Sequence, residues 1–164
     1  MKRKYISLFM IIAALSYSVL SVRAQTINDV QDQLVKGFQD KDWVDIYNEI
    51  ISNGSKLPHL DEKYKSEDNL VDGCSCRLWI HVEMIEGSLY YSADTEPLII
   101  RGLLYYLIEV FSGHTAEEIY NSDIYFVEKS GFNEHLAPTR YKDYQTIVRH
   151  MKKCAKQNIV PYLP

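Results

Sequence analysis

An α+β fold, a small antiparallel β-sheet packed by helices, is what this sequence predicts, and three observations predict it. Residues 76–85 alternate in polarity, the chain turns at Glu86-Gly87, and alternation resumes over 88–93, the pattern of a hairpin. Apolar residues before and after that hairpin recur at helical spacing. Residues 98–111 are apolar almost all round, broken mainly by Arg101 and Glu109, as expected of a helix covered on several sides.

The elements follow in order. A first helix is predicted over 26–38, with Ile27, Val30, Leu34, Val35 and Phe38 on one stripe. A second covers 43–53. Asp42 is its N-cap, Trp43, Ile46, Tyr47, Ile50 and Ile51 form its apolar stripe, and Gly54 closes it. Residues 57–72 form a long polar loop, of a kind more often functional or mobile than neutral. It ends at Gly73, which takes φ > 0 without a Cβ penalty, so a sharp turn there presents Cys74. In the strand that follows, Cys76, Leu78, Ile80, Val82 and Met84 fall on the core face, and Arg77, Trp79, His81 and Glu83 on the other. Leu89, Tyr91 and Ala93 alternate on the return strand. Pro97 suits a helix start, Gly102 permits close backbone packing, and Gly113 can end that helix in the left-handed region. Thr115 and Glu118 have capping-box spacing. Residues 124–133 read as irregular or a short helical turn. Pro138 opens the last helix, with Ile147, Val148, Met151 and Ala155 facing inward.

Length and charge narrow the function. The 164 residues make one domain, 25–164, behind a leader over 1–24. Such a domain is large enough to need no disulfide staple. Lys and Arg total 18 against 22 Asp and Glu. Four of the basic residues, Lys2, Arg3, Lys4 and Arg23, precede Gln25, so the domain carries a net −8. That balance argues against a nucleic-acid partner. The leader has a basic start, an apolar stretch over 5–20 and Val22-Arg23-Ala24 at the cleavage positions of a secretory signal peptide. It reads equally as an over-extended start or an organelle-targeting segment. No membrane contact is expected beyond it. The cysteines are Cys74, Cys76 and Cys154, an odd set without a disulfide framework or paired Cys-x-x-Cys knuckles, which suits a reducing compartment. No two of His59, His81, His114, His135 and His150 are four residues apart, so no helical zinc motif is present, and no metal is expected. There is no glycine-rich phosphate loop and no nucleophile elbow.

Gly73-Cys74-Ser75-Cys76-Arg77-Leu78-Trp79 resembles the Gly-Cys-x-Ser-x-Val-Trp signature of the SufE family, the sulfur acceptors that work with a cysteine desulfurase in iron–sulfur cluster assembly. Upstream, Leu57-Pro58 and Asp61-Glu62 with Tyr64 resemble that family's lead-in loop. Downstream, Ala93-Asp94-Thr95-Glu96 and Arg101-Gly102-Leu103 resemble its Asp-Ser-Asp and Lys-Gly-Leu blocks, with Arg101 in place of a lysine. Ser112-Gly113-His114-Thr115-Ala116-Glu117-Glu118-Ile119 and Leu136-Ala137-Pro138-Thr139-Arg140 resemble two more, and the likeness runs over 26–156. After the arginine the family has Asn-Gly where this chain has Lys142-Asp143, which puts local partner contacts in question.

The resemblance implies a SufE-like α+β fold and a sulfur-transfer accessory protein rather than a stand-alone enzyme. Cys74 would take the terminal sulfur of a persulfide on a partner cysteine desulfurase and pass it to an iron–sulfur scaffold complex. No cofactor is implied for this chain; the desulfurase would carry pyridoxal phosphate. Arg140 would stabilise the thiolate or persulfide anion, or contact the partner. A homodimer is compatible with it. The family chemistry implies the cytoplasm, and the leader implies export or a periplasm.

Other readings stand beside these. Free cysteines are often buried and structural, Arg140 could be a surface salt bridge, and Cys154 sits at helical spacing from Met151 and Ile147 as a core or semi-exposed residue. Cys76, where the family usually has serine, is either a core-face residue by strand phase or a second thiol that resolves the Cys74 persulfide. Cys74 is expected to rest against the apolar body and swing out about Gly73. Asp72 beside it is expected to raise its pKa. The competing functions are an exported thiol-redox protein using Cys74 and Cys76, and a SufE-fold binding module without sulfur transfer.

Overall fold

The computed structural model describes residues 25–159. The leader, with its cleavage positions, lies outside them. Among the described residues no helix is long and apolar enough to cross a membrane.

The order is α1 (Ile27–Gln39), α2 (Trp43–Lys56), 3₁₀ turns at Glu62–Tyr64 and Glu67–Asn69, β1 (Leu78–Ile85), β2 (Ser88–Thr95), α3 (Leu98–Phe111), α4 (Ala116–Asn121), α5 (Phe126–Lys129), a 3₁₀ turn at Phe132–His135, and α6 (Pro138–Gln157). One antiparallel hairpin with helices packed on it confirms the α+β class. Thr26 and Asp29 form a capping box at the start of α1, and Thr115 and Glu118 form the expected one at α4. The Asp42 carboxylate accepts the Val44 and Asp45 N–H groups, each at 2.9 Å. Buried Gln31, which no apolar stripe would include, donates to the Asp123 carbonyl and accepts from the Tyr125 N–H, fastening α1 to the start of α5.

The core is centred on α3, whose Ile100, Leu103, Leu104, Leu107, Val110 and Phe111 are fully buried. Its Gly102 does permit close packing: a Cβ there would strike the Ile50 carbonyl oxygen. The facing residue on α2 is Gly54, where a Cβ would lie 2.5 Å from the Gly102 nitrogen. Gly54 is therefore not the end of α2. The helix continues to Lys56, and the glycine marks where the two backbones cross. Trp43, expected on the buried stripe, is 50% exposed and stacks on His135 at 5.2 Å.

The hairpin turns through Glu86 (φ 51°) and Gly87 (φ 83°), both left-handed, as a two-residue loop between twisted strands requires. Its register pairs Leu78 with Thr95 and Ile85 with Ser88. Leu78, Ile80, Leu89, Tyr91 and Ala93 are buried as expected. Met84 is exposed although Leu89, its partner across the hairpin, is fully buried, so near the tip the β2 side is covered and the β1 side is not. Residues 57–72 are polar but tied down. Leu57, Leu60 and Val71 enter the core, Tyr64 stacks on His81 at 3.8 Å, and the Val71 N–H donates to the Leu78 carbonyl at 2.9 Å.

Candidate functional site

The cysteine turn lies where the end of the polar loop, the base of the hairpin and the first turns of α6 meet. Gly73 has φ 81°, as its place in the turn predicts. A Cβ there would meet only the Thr146 Cγ2 at 3.9 Å, so the glycine is needed for its backbone angle and not for space. Residues 74–77 run free of the ladder, and β1 begins at Leu78 rather than at Cys76.

Ser75 fastens this turn. Its N–H donates to Asp143 Oδ1 at 2.7 Å and its hydroxyl to Asp143 Oδ2 at 2.5 Å. Arg140 Nη1, one helical turn earlier on α6, reaches Asp143 Oδ2 at 3.2 Å and Ser75 Oγ at 3.3 Å. Burial pushes the Asp143 carboxyl up, but donation from the Ser75 hydroxyl and N–H, the Cys74 thiol and Arg140 outweighs it and holds the group below the ordinary range. The structure thus brings Arg140 to the cysteine turn, though its nearest partners there are Ser75 and Asp143. The carboxylate beside the thiols is Asp143, not Asp72, whose charge bears instead on His150. Lys142-Asp143, a departure from the family pattern, supplies the residue that holds the turn. A spacing of three between an arginine and an aspartate at a helix start was the available signal.

With Ser75 held, its two neighbours turn to the same side. Cys74 Sγ and Cys76 Sγ are 3.2 Å apart, an S–H···S contact, and each is half-buried against the core. Cys74 thus rests on the apolar body as expected. Cys76 packs partly against the core too, but the contact that distinguishes it is with the other sulfur, which strand phase did not foresee. Thr95 Oγ1 reaches the Arg77 carbonyl oxygen at 2.7 Å and Cys76 Sγ at 3.5 Å, with one proton to give. The pair holds one negative charge more readily than two. Donation from Cys74, with smaller help from Thr95 and Arg140, outweighs burial and the Asp143 charge and holds the Cys76 thiol below its ordinary range. The contact with Cys76, then burial and the Asp143 charge, hold Cys74 above its ordinary range.

The Cys74, Cys76 and Asp143 ligand atoms lie within 4.8 Å of one another, a spacing a soft cation could use. The carboxylate, however, is already committed to Ser75, Arg140 and the Cys74 thiol. Cys154 is half-buried on α6, eleven residues past Asp143, or about 16 Å along the helix at 1.5 Å per residue, and takes no part in this cluster. A groove of about 420 Å³ opens beside the pair, lined by Cys76, Arg77, Trp79, Glu96 and Pro97. The Arg77 guanidinium lies over the Trp79 ring at 5.1 Å.

A second acid–base cluster lies one residue along β2. Buried Arg101 donates to Asp94 Oδ1 at 2.6 Å and to the Gly54, Leu57 and Thr95 carbonyls. Lys65 and His59 reach the same aspartate, each at 3.1 Å. Arg101, which stands in a family block, is thus a structural clamp on the loop, and it shares only Thr95 with the thiols' contacts.

Fold and site together define a small α+β domain that carries a dithiol on a turn at the base of its hairpin. The chain belongs to the SufE family: the family described as SufE, Fe-S metabolism associated domain, matches residues 32–155. An uncharacterized SufE-like protein of Rhizobium meliloti is 29% identical over 131 residues, covering 76% of this chain and 94% of that protein. The solution structure of a hypothetical protein from Thermus thermophilus superposes with a TM-score of 0.67 at 14% identity, covering 79% of this chain and 96% of that one, a likeness of fold. A role in iron–sulfur metabolism follows from the family.

Proposed function

We propose that this chain is a sulfur acceptor that takes persulfide sulfur from a cysteine desulfurase onto Cys74 and passes it on for iron–sulfur cluster assembly. The observation that carries the reading is Cys74 itself: a half-buried free thiol, next to a left-handed glycine, in a segment outside the ladder. In the step envisaged, the Cys74 thiolate attacks the outer sulfur of the desulfurase persulfide. A Cys74 Sγ–S bond forms, the partner's S–S bond breaks, and the partner's cysteine leaves as a thiolate.

Several features support it. The half-buried resting position slows side reactions of the thiol between transfers. Ser75 is the latch: releasing its two bonds to Asp143 would free the turn to pivot about Gly73 into a partner's site. Arg140 would then be free to meet the incoming persulfide anion. The pyridoxal phosphate belongs to the desulfurase in this scheme.

The test is stimulation of a cognate cysteine desulfurase, followed as alanine release. Cys74→Ser should abolish stimulation, whereas Cys76→Ser should retain most of it, because Cys74 keeps its place in the turn and Ser75 keeps both its bonds to Asp143. Unchanged stimulation by Cys74→Ser would overturn the assignment and favour a binding module without sulfur transfer.

A further inference from the structure

We propose that Cys76 is a resolving thiol: it discharges a persulfide on Cys74 as hydrosulfide and leaves a Cys74–Cys76 disulfide. This rests on the assignment of Cys74 as the acceptor and adds a second fate for its sulfur, namely release when no downstream recipient is bound.

The geometry is already in place. Cys76 Sγ lies 3.2 Å from Cys74 Sγ, the atom that becomes the inner sulfur of the persulfide. Ser75, held through both its N–H and its hydroxyl, fixes the two flanking residues relative to each other. Arg140 favours negative charge at Cys76 and the nearby Asp143 carboxylate opposes it, while Thr95 Oγ1 stands 3.5 Å from the sulfur. Attack needs a thiolate with access to the inner sulfur; Cys76 has that access, with the Arg140 cation nearby to favour its charged form.

The step balances without an external oxidant. The Cys76 thiolate attacks Cys74 Sγ, the Sγ–Sγ bond forms, and the bond from Cys74 Sγ to the sulfane sulfur breaks. The sulfane sulfur keeps its hydrogen, takes the bonding pair and leaves as HS⁻. It is reduced, and the two cysteine sulfurs are oxidised to the disulfide. Resetting requires a dithiol reductant, which returns both thiols and is itself converted to a disulfide. A ring closed between residues two apart is strained, so this disulfide is readily reduced.

The experiment loads the reduced full-length chain in two ways in thiol-free buffer: with inorganic polysulfide, and with a cysteine desulfurase and limiting cysteine. After rapid desalting, released sulfide is measured against time, and alkylation with peptide mapping locates sulfur and disulfide. The wild-type chain should release sulfide and become blocked at Cys74 and Cys76 until dithiothreitol is added. Cys76→Ser should hold sulfur on Cys74 at least about tenfold longer, and Cys76→Ala should behave alike. Equal lifetimes in wild type and both variants, or sulfide release without the Cys74–Cys76 disulfide, would overturn the proposal. Discharge after polysulfide loading, with no loading by the desulfurase, would uphold the resolving role and refute the acceptor reading instead.

Discussion

Two aspartate–arginine pairs lie close together in this protein and do opposite work. In the Asp94–Arg101 pair both side chains are almost wholly enclosed, at 6% and 5% exposure, and the guanidinium is further bound by three main-chain carbonyls. In the Asp143–Arg140 pair the carboxylate is enclosed at 2% but the arginine is 33% exposed, and what they hold is a single serine. The first pair joins three segments of the core. The second fastens one turn that carries two thiols. The same two residue types make a permanent clamp where the cation is almost wholly enclosed, and a releasable latch where a third of it is exposed.

The strongest way to break this comparison is Arg101→Ala. It leaves Asp94 enclosed with only His59 and Lys65 for compensation, and three carbonyls without their donor. A loss of about 3–5 kcal/mol in global stability is expected by urea denaturation. A loss below about 1 kcal/mol, the range of an exposed pair, would show that the clamp is not structural. Asp143→Ala should cost less, about 1–3 kcal/mol, since it strips the Ser75 N–H and hydroxyl of their acceptor. Its local effect should be the larger one: iodoacetamide should alkylate Cys74 several-fold faster than in the wild type while the core amides lose no more hydrogen-exchange protection than the drop in global stability accounts for. Unaltered alkylation would mean that Ser75 is not a latch.

Acid sharpens the contrast. Both aspartates titrate below the ordinary 3.8 in the folded chain, so the unfolded chain takes up protons first. Their contribution is complete above that value and is lost as pH falls through the lowered folded values. Urea midpoints measured downward from pH 5 should therefore decline, and Asp143→Asn should flatten part of that decline. An identical slope in the variant would remove Asp143 from the account. The smallest effect is expected of Arg140→Gln, less than about 1 kcal/mol in stability, because a third of that side chain is in water. Its consequence should appear in desulfurase stimulation rather than in denaturation.

Local chemistry made much of this legible in the sequence. The Glu86-Gly87 turn, the Thr115–Glu118 capping box, the Asp42 N-cap and the left-handed Gly73 each depend on a few adjacent residues, and each stands where its pattern placed it. Gly54 did not, because a glycine near a helix end reads as a stop, while its actual role depends on Gly102, which lies far along the chain. Met84 shares the phase of Leu78, but phase does not say which side of the hairpin is covered near its tip. Strand alternation extended back to Cys76 overshoots by two residues, into a stretch where the backbone bends and period two no longer holds. Asp143 stands in a polar stretch of α6, and only the meeting of that helix with the cysteine turn encloses it.

The hairpin has a consequence for how molecules of this protein meet one another. A sheet of two strands consists entirely of edges, and an open edge invites a strand from another molecule. Here each edge is partly covered by another segment of the chain. Leu70 bridges to Trp79 on β1, and His114 bridges to Leu89 on β2. The second is built by Gly113 (φ 87°), whose N–H donates to the Leu89 carbonyl while the Leu89 N–H donates to the His114 carbonyl. It stands near the tip, where Met84, Ile85 and Tyr90 are exposed and where a foreign strand would find most apolar surface. Gly113 therefore does more than end a helix: it brings the chain back onto the Leu89 end of β2 and takes up hydrogen-bonding groups of that edge.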